Sequence, residues 1–149
     1  MTLDESAHRL GACAWVEERL FEILGRWVRA SSDDRFSLAL ATAARHHAAH
    51  SLQLRALLPE TRDHDPGALV SPPPDGALAD EGEWTAVAGS EDPASGFTTL
   101  RPMLAAHLTA LESWLKDASP VRDGPGIRVV ASVMAEDHAD RGLLEMASG

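Results

Sequence analysis

Six ionisable side chains stand where apolar stripes of helical spacing should run unbroken. Glu17 interrupts the row Leu3, Ala7, Leu10, Ala14, Phe21, Leu24 and Val28, while His47 and His50 fall inside Phe36, Leu40, Ala43, Leu54 and Leu57. His107 is bracketed by Leu100, Leu104, Leu111 and Trp114, and Asp137 by Val130, Val133 and Leu144, with Asp140 one turn on. Burying such groups is costly unless they are paired or bind a metal. One interruption on each of four helical stretches therefore points to a shared polar layer of three histidines and three carboxylates. His47 and His50, at i and i+3, converge on one face and can grip one ion. Imidazole suits iron, zinc, copper or nickel and carboxylate suits iron or manganese, so the mixed set favours a first-row transition metal over calcium or magnesium.

The elements that must carry these residues are four helices, expected over residues 3–30, 34–58, 92–118 and 127–147 of a single domain. Ser31-Ser32-Asp33-Asp34 breaks the first hairpin and caps its second helix, and Asp92-Pro93 is a start signal for the third. Pro102 is expected to kink or delay that third helix. Glu17 and His47 each lie about 15 residues from the first turn, about 22 Å along the axis at 1.5 Å per residue. His107 and Asp137 are matched in the same way about the turn at 119–126, with Asp123-Gly124-Pro125-Gly126 read as its compact centre. Two antiparallel hairpins thus bring their polar midpoints level. The connection over 59–91 is rich in proline and acid, with at most a weak short helix near Leu78, Trp84 and Val87. A connector this long fits a small domain only if it travels the length of a bundle.

Two hairpins joined by one long crossover resemble the ferritin-like four-helix bundle, an all-α fold. Members with a di-iron centre place a Glu on the first and third helices and a Glu-x-x-His pair on the second and fourth. Glu17 stands at the first position, His47-Ala48-Ala49-His50 at the first pair, His107 at the third-helix position and Asp137-His138-Ala139-Asp140 at the second pair. Arg19-Leu20-Phe21-Glu22-Ile23-Leu24-Gly25 and the stretch from Ser119-Pro120-Val121 to Gly124-Pro125 are also similar to small bacterial ferritin-like proteins. The resemblance implies metal ligands at Glu17, His47, His50, His107, Asp137 and Asp140, and an iron- or manganese-dependent oxidase or oxygenase acting on a small molecule, with zinc a further choice of ion. The motif departs from the family pattern: only Glu17 and His50 match by residue type. A mononuclear site at His47, His50, His107 and Glu17 is as natural as a dinuclear one. A metal-free hydrogen-bond network in a non-catalytic module that binds a small molecule or a partner protein stays open beside it.

The remaining residues narrow the field. A formal charge of -10 and a pI near 5.0 leave no basic face for a phosphate backbone, which argues against nucleic acid. No apolar run approaches membrane length and no leader opens the chain, so a cytoplasmic location is expected. Tyrosine and asparagine are absent and alanine abundant, a bias of GC-rich bacterial genomes. Cys13 reads as a small core residue. No phosphate loop, nucleophile elbow or Cys-x-x-Cys is present, and helix two lacks the His-x-x-x-Glu of a hemerythrin-like site. His8, His64, His138, Glu18, Glu22, Glu112 and Glu136 read as solvated, and His46 as a flank residue, exposed in preference to supporting the layer. Trp114 is expected in the core, Trp27 beside it, and Trp15 on an outer face covered by the crossover or by a second subunit of a homodimer.

Overall fold

A computed structural model describes the whole chain, Met1–Gly149. It is 77% helical and has no strand. Four long helices, α1 (Leu3–Ala30), α2 (Asp34–Arg55), α5 (Pro93–Asp117) and α6 (Gly124–Ser148), form the bundle. The crossover carries α3 (Pro66–Leu69), a 3₁₀ turn (Ala77–Ala79) and α4 (Glu81–Ala88).

Local chemistry fixes the helix starts. Thr2 and Glu5 form a reciprocal capping box on α1, and Asp33 accepts hydrogen bonds from the amides of Arg35 and Phe36 at the start of α2. Asp92 and Pro93 open α5, which then runs through Pro102 without interruption. Two boundaries differ from expectation. Helix α2 stops at Arg55, although Leu58 beyond it is still buried. Helix α6 begins three residues early, with Gly124-Pro125-Gly126 forming its first turn in place of a loop. Gly126 is there for close packing: an added Cβ would come within 2.9 Å of the Trp114 ring.

Neighbouring long helices all run antiparallel, as their contacts show. Glu17 meets His47, Glu18 meets Arg55, Arg9 meets Asp117 and His46 meets Asp140. Helices α1, α2, α6 and α5 therefore form a ring in up-down-up-down order around the axis, while the chain visits them up-down-down-up. The crossover must consequently run the full length of the bundle. Along the way it covers the outer face of α1: Trp84 of α4 packs edge-on against Trp15 with centroids 5.6 Å apart. Trp15 is thus closed by the chain's own crossover, and Trp27, expected at the flank, is fully buried. Leu3 and Phe21, read as core, are 52% and 43% exposed. The buried arc of α1 is instead centred on Leu10, Ala14, Glu17 and Leu24 and widened by Cys13, Val16, Leu20, Ile23 and Trp27, because α2, α5 and α3 all pack against it.

The apolar interior is split into two clusters. One, around Trp27, Leu40, Phe97 and Leu100, fills the end where α1 turns into α2. The other, around Leu10, Leu54, Leu111, Trp114 and Val130, fills the opposite end. Between them lies the polar layer.

Two glycines of α1 carry opposite predictions. A Cβ at Gly11 would overlap the Leu69 carbonyl of the crossover, whereas Gly25 has nothing within 4 Å. Gly11→Ala should destabilise by about 1–3 kcal/mol through overpacking. Gly25→Ala should stabilise by about 0.5–1 kcal/mol, since it removes only the entropic cost of a mid-helix glycine. Urea titration of the two variants checks both signs.

Candidate metal centre

Glu17, His47, His50 and Asp137 meet at the midpoint of the bundle, each nine-tenths or more buried. One ligating atom from each can be chosen so that all four lie within 4.8 Å of one another. His47 Nδ1 is 2.5 Å from Glu17 Oε2 and 3.4 Å from Asp137 Oδ1. His50 Nδ1 is 3.4 Å from the same Glu17 oxygen and 3.0 Å from the same Asp137 oxygen. Ligands bound tetrahedrally at about 2.0–2.1 Å stand about 3.4 Å apart; the three separations of 3.0–3.4 Å are close to that of a coordination shell, whereas His47 and Glu17 are drawn together by a short hydrogen bond. These four residues can hold a metal ion.

The supporting contacts fit that reading. The far nitrogen of His50, Nε2, donates to Glu136 Oε1 at 2.8 Å. His107 Nε2 donates to the other Glu17 oxygen, Oε1, at 2.8 Å. Metal-bound imidazoles commonly hand their second N–H to a carboxylate, and ligating carboxylates are themselves hydrogen-bonded. With its proton on Nε2, a neutral His50 presents a bare lone pair at Nδ1, facing the Asp137 carboxylate. Despite their 3.0 Å separation, His50 Nδ1 and both Asp137 oxygens are buried atoms without a hydrogen-bond partner. Two electron-rich groups in that relation need a cation between them, either a proton or a metal ion.

The electrostatics say the same. Burial opposes the charge on Glu17, but the charge of His47 and hydrogen bonds from His107 and His47 outweigh it, with His50 close by, and hold the carboxyl well below the usual range. Burial likewise opposes protonation of His47, and the Glu17 carboxylate wins, raising it. His50 is pushed up to about 10 because the flanking Asp137 and Glu17 carboxylates overcome its burial. Asp137 is raised to about 6, first by burial and then by repulsion from Glu17. Cys13 is pushed up to about 12 by burial and by Glu17, so its thiol is neutral in the metal-free protein.

Of the six residues named from sequence, four share the donor group. His107 stands behind Glu17, its Nε2 3.6 Å from Asp137 Oδ2 and outside the four. Asp140 is buried but faces His46, accepting from its Nδ1 at 2.8 Å, and lies outside the four-donor group. Two supporting residues were misread from sequence. His46 is partly buried on Asp140 rather than solvated, and Glu136, although 44% exposed, reaches back over the layer to His50. No sequence period marks Glu136, because it starts on the polar flank and its length carries the carboxylate inward. The His46/His50 spacing of one turn is the only hint. His64 is also partnered, through Asp4 and Thr61, far from the layer. His8, His138 and Glu112 are exposed as expected. No protein-family model, curated protein or solved structure matches the chain.

The protonation states predict a pH dependence. His50 is raised from 6.5 to about 10 on folding, so its stabilising contribution to the metal-free protein is complete below about pH 6.5 and is lost as pH rises through 10. The same proton must leave before Nδ1 can bind an ion. Between pH 6.5 and 9 the melting temperature of metal-free protein should therefore fall while apparent zinc affinity rises with proton release. Thermal scans and calorimetric titration in two buffers of different ionisation enthalpy measure both.

Proposed function

We propose that this chain is a ferritin-like metal-binding protein whose single transition-metal ion is held by Glu17, His47, His50 and Asp137. In this reading it serves as a small iron- or manganese-dependent oxidase or oxygenase acting on a small molecule. The observation that carries the metal is the gathering of buried donor atoms of Glu17, His47, His50 and Asp137 within 4.8 Å of one another, with His50 Nδ1 and both Asp137 oxygens left without a hydrogen-bond partner. The ferritin-like reading is supported by the up-down-down-up course of the chain and its full-length crossover. Two imidazoles and two carboxylates form a donor set suited to iron or manganese, with zinc also accommodated.

A bound iron or manganese ion would supply one-electron redox chemistry in a water-poor interior. The chain's own groups do the rest. His107 fixes the orientation of Glu17, and Glu136 fixes the tautomer of His50. The apolar clusters on either side of the layer exclude solvent from it.

A second reading, a metal-free network in a non-catalytic module, is favoured by one observation. His47 and Glu17 already satisfy each other at 2.5 Å. Mutation separates the two. With a metal, His47→Ala should abolish stoichiometric uptake of iron, manganese and zinc, and the ion should raise the melting temperature of the wild type only. With a network alone, no ion raises it, and Glu17→Leu combined with His47→Leu is neutral or stabilising by up to about 1–4 kcal/mol. Metal analysis of tag-free protein and thermal shift with each ion decide the matter; we expect the first pattern.

A further inference from the structure

The crossover leaves a cavity of about 660 Å³ along the seam between α1 and α5, roofed by the segment around Pro73–Leu78. That volume falls within the range of small-molecule sites. Short side chains make the gap. Ala12, Ala106 and Ala110 cannot reach across the seam, and α1 and α5 touch far less than α1 and α2 do. Buried Cys13, Val16 and Leu78 complete an apolar wall. The roof is fastened at its two ends: Leu69 presses on α1 at Gly11, and the Leu78 carbonyl accepts the Trp84 indole N–H at 2.8 Å. Between them residues 71–75 take part in no backbone hydrogen bond, so this stretch can part from the helices at little cost and admit a ligand.

The polar groups of the lining are already spent, and that sets what the cavity can recognise. Arg9 donates to Asp117 at 2.9 Å and to the Ser113 hydroxyl at 3.0 Å. The Thr109 hydroxyl donates to the Ala105 carbonyl at 3.0 Å, and His8 Nδ1 donates to the Asp4 carbonyl at 2.9 Å. His107 has its Nε2 on Glu17, and the Cys13 thiol is neutral. Asp75 alone of the lining carboxylates lacks an ion pair, and it lies on the exposed rim. A charged group carried into this cavity would lose water and gain no partner. We infer that the cavity binds a small uncharged apolar molecule, of the one- or two-ring hydrocarbon class, through contact with Ala12, Cys13, Val16, Leu78, Ala106 and Ala110. Apolar surface removed from water supplies the affinity. Binding asks nothing of an ion, so the site goes beyond the metal reading and stands without it.

The test compares three ring compounds of similar size, p-xylene, p-toluate and 4-methylbenzylammonium, titrated into ¹⁵N-labelled full-length protein, both metal-free and zinc-loaded. p-Xylene is expected to shift the amides of residues 12–16, 76–79 and 106–110 saturably, below its solubility limit and in both forms. It should bind about tenfold more tightly than either charged compound, whose ionised group must be desolvated without a partner. Ala110→Phe, whose ring fills the gap from α5, should abolish p-xylene binding. Equal or tighter binding of a charged compound, shifts centred elsewhere, no saturation by p-xylene, or binding retained by folded Ala110→Phe would overturn the assignment. The ligand comparison uses the unaltered protein, so it decides the matter even if Ala110→Phe fails to fold. Zinc stoichiometry is read separately, so failure of the metal centre and failure of this cavity are distinguishable.

Discussion

One carboxylate organises the centre of this protein. Glu17 is completely buried in the middle of α1, and an isolated charge there would be prohibitive. It is tolerated because its two oxygens are shared out: Oε2 to His47 of α2 and Oε1 to His107 of α5. Each contact ties a different helix to α1 at the same height. Asp137 of α6 closes the layer through His50 and His47. Removing one member leaves a partner charged and buried, a cost of about 3–5 kcal/mol for a broken buried pair. The layer is therefore a register device as well as a site, because sliding any helix by one turn would strand its ionisable group in one of the apolar clusters.

The crossover is the second constraint, and it follows from the first. With α2 and α5 both descending, the chain must climb back along the bundle between them. It does so in short helical pieces fastened by specific contacts: Leu69 over Gly11, Trp84 against Trp15, and the Trp84 indole on Leu78. A segment rich in proline and glycine cannot form one long helix, and this one instead lies over α1 and α5 with a gap left beneath Pro73–Leu78. That gap ends at His107, the residue that also steadies Glu17. The outer wrapping and the inner polar layer thus meet at a single imidazole.

The helices themselves were legible because apolar residues at a 3.6-residue period, with start signals at Asp33 and Asp92, leave few alternatives. Glu17, His47, His50, His107 and Asp137 were legible as buried for the same reason, each replacing an apolar residue on its stripe. Less was readable at the edges. Phe21 and Leu3 share the spacing of the core but lie where no element covers them. Gly124-Pro125-Gly126 has turn composition yet is helical, because packing of Gly126 against Trp114 outweighs it.

By itself the sequence determined that four amphipathic helices exist and that each must hide an ionisable group at its middle, since periodicity and burial cost act within one helix. Which of those groups converge was decided only by the tertiary structure. Asp140 and Asp137 are one turn apart on the same stripe, yet Asp140 faces His46 while Asp137 enters the donor group. The difference is set by the rotation of α6 against α2, a property of two packed surfaces and of neither sequence segment alone. Glu136 and the His107 cavity belong to the same class: a long side chain bending inward and a gap between three elements leave no trace in spacing along the chain.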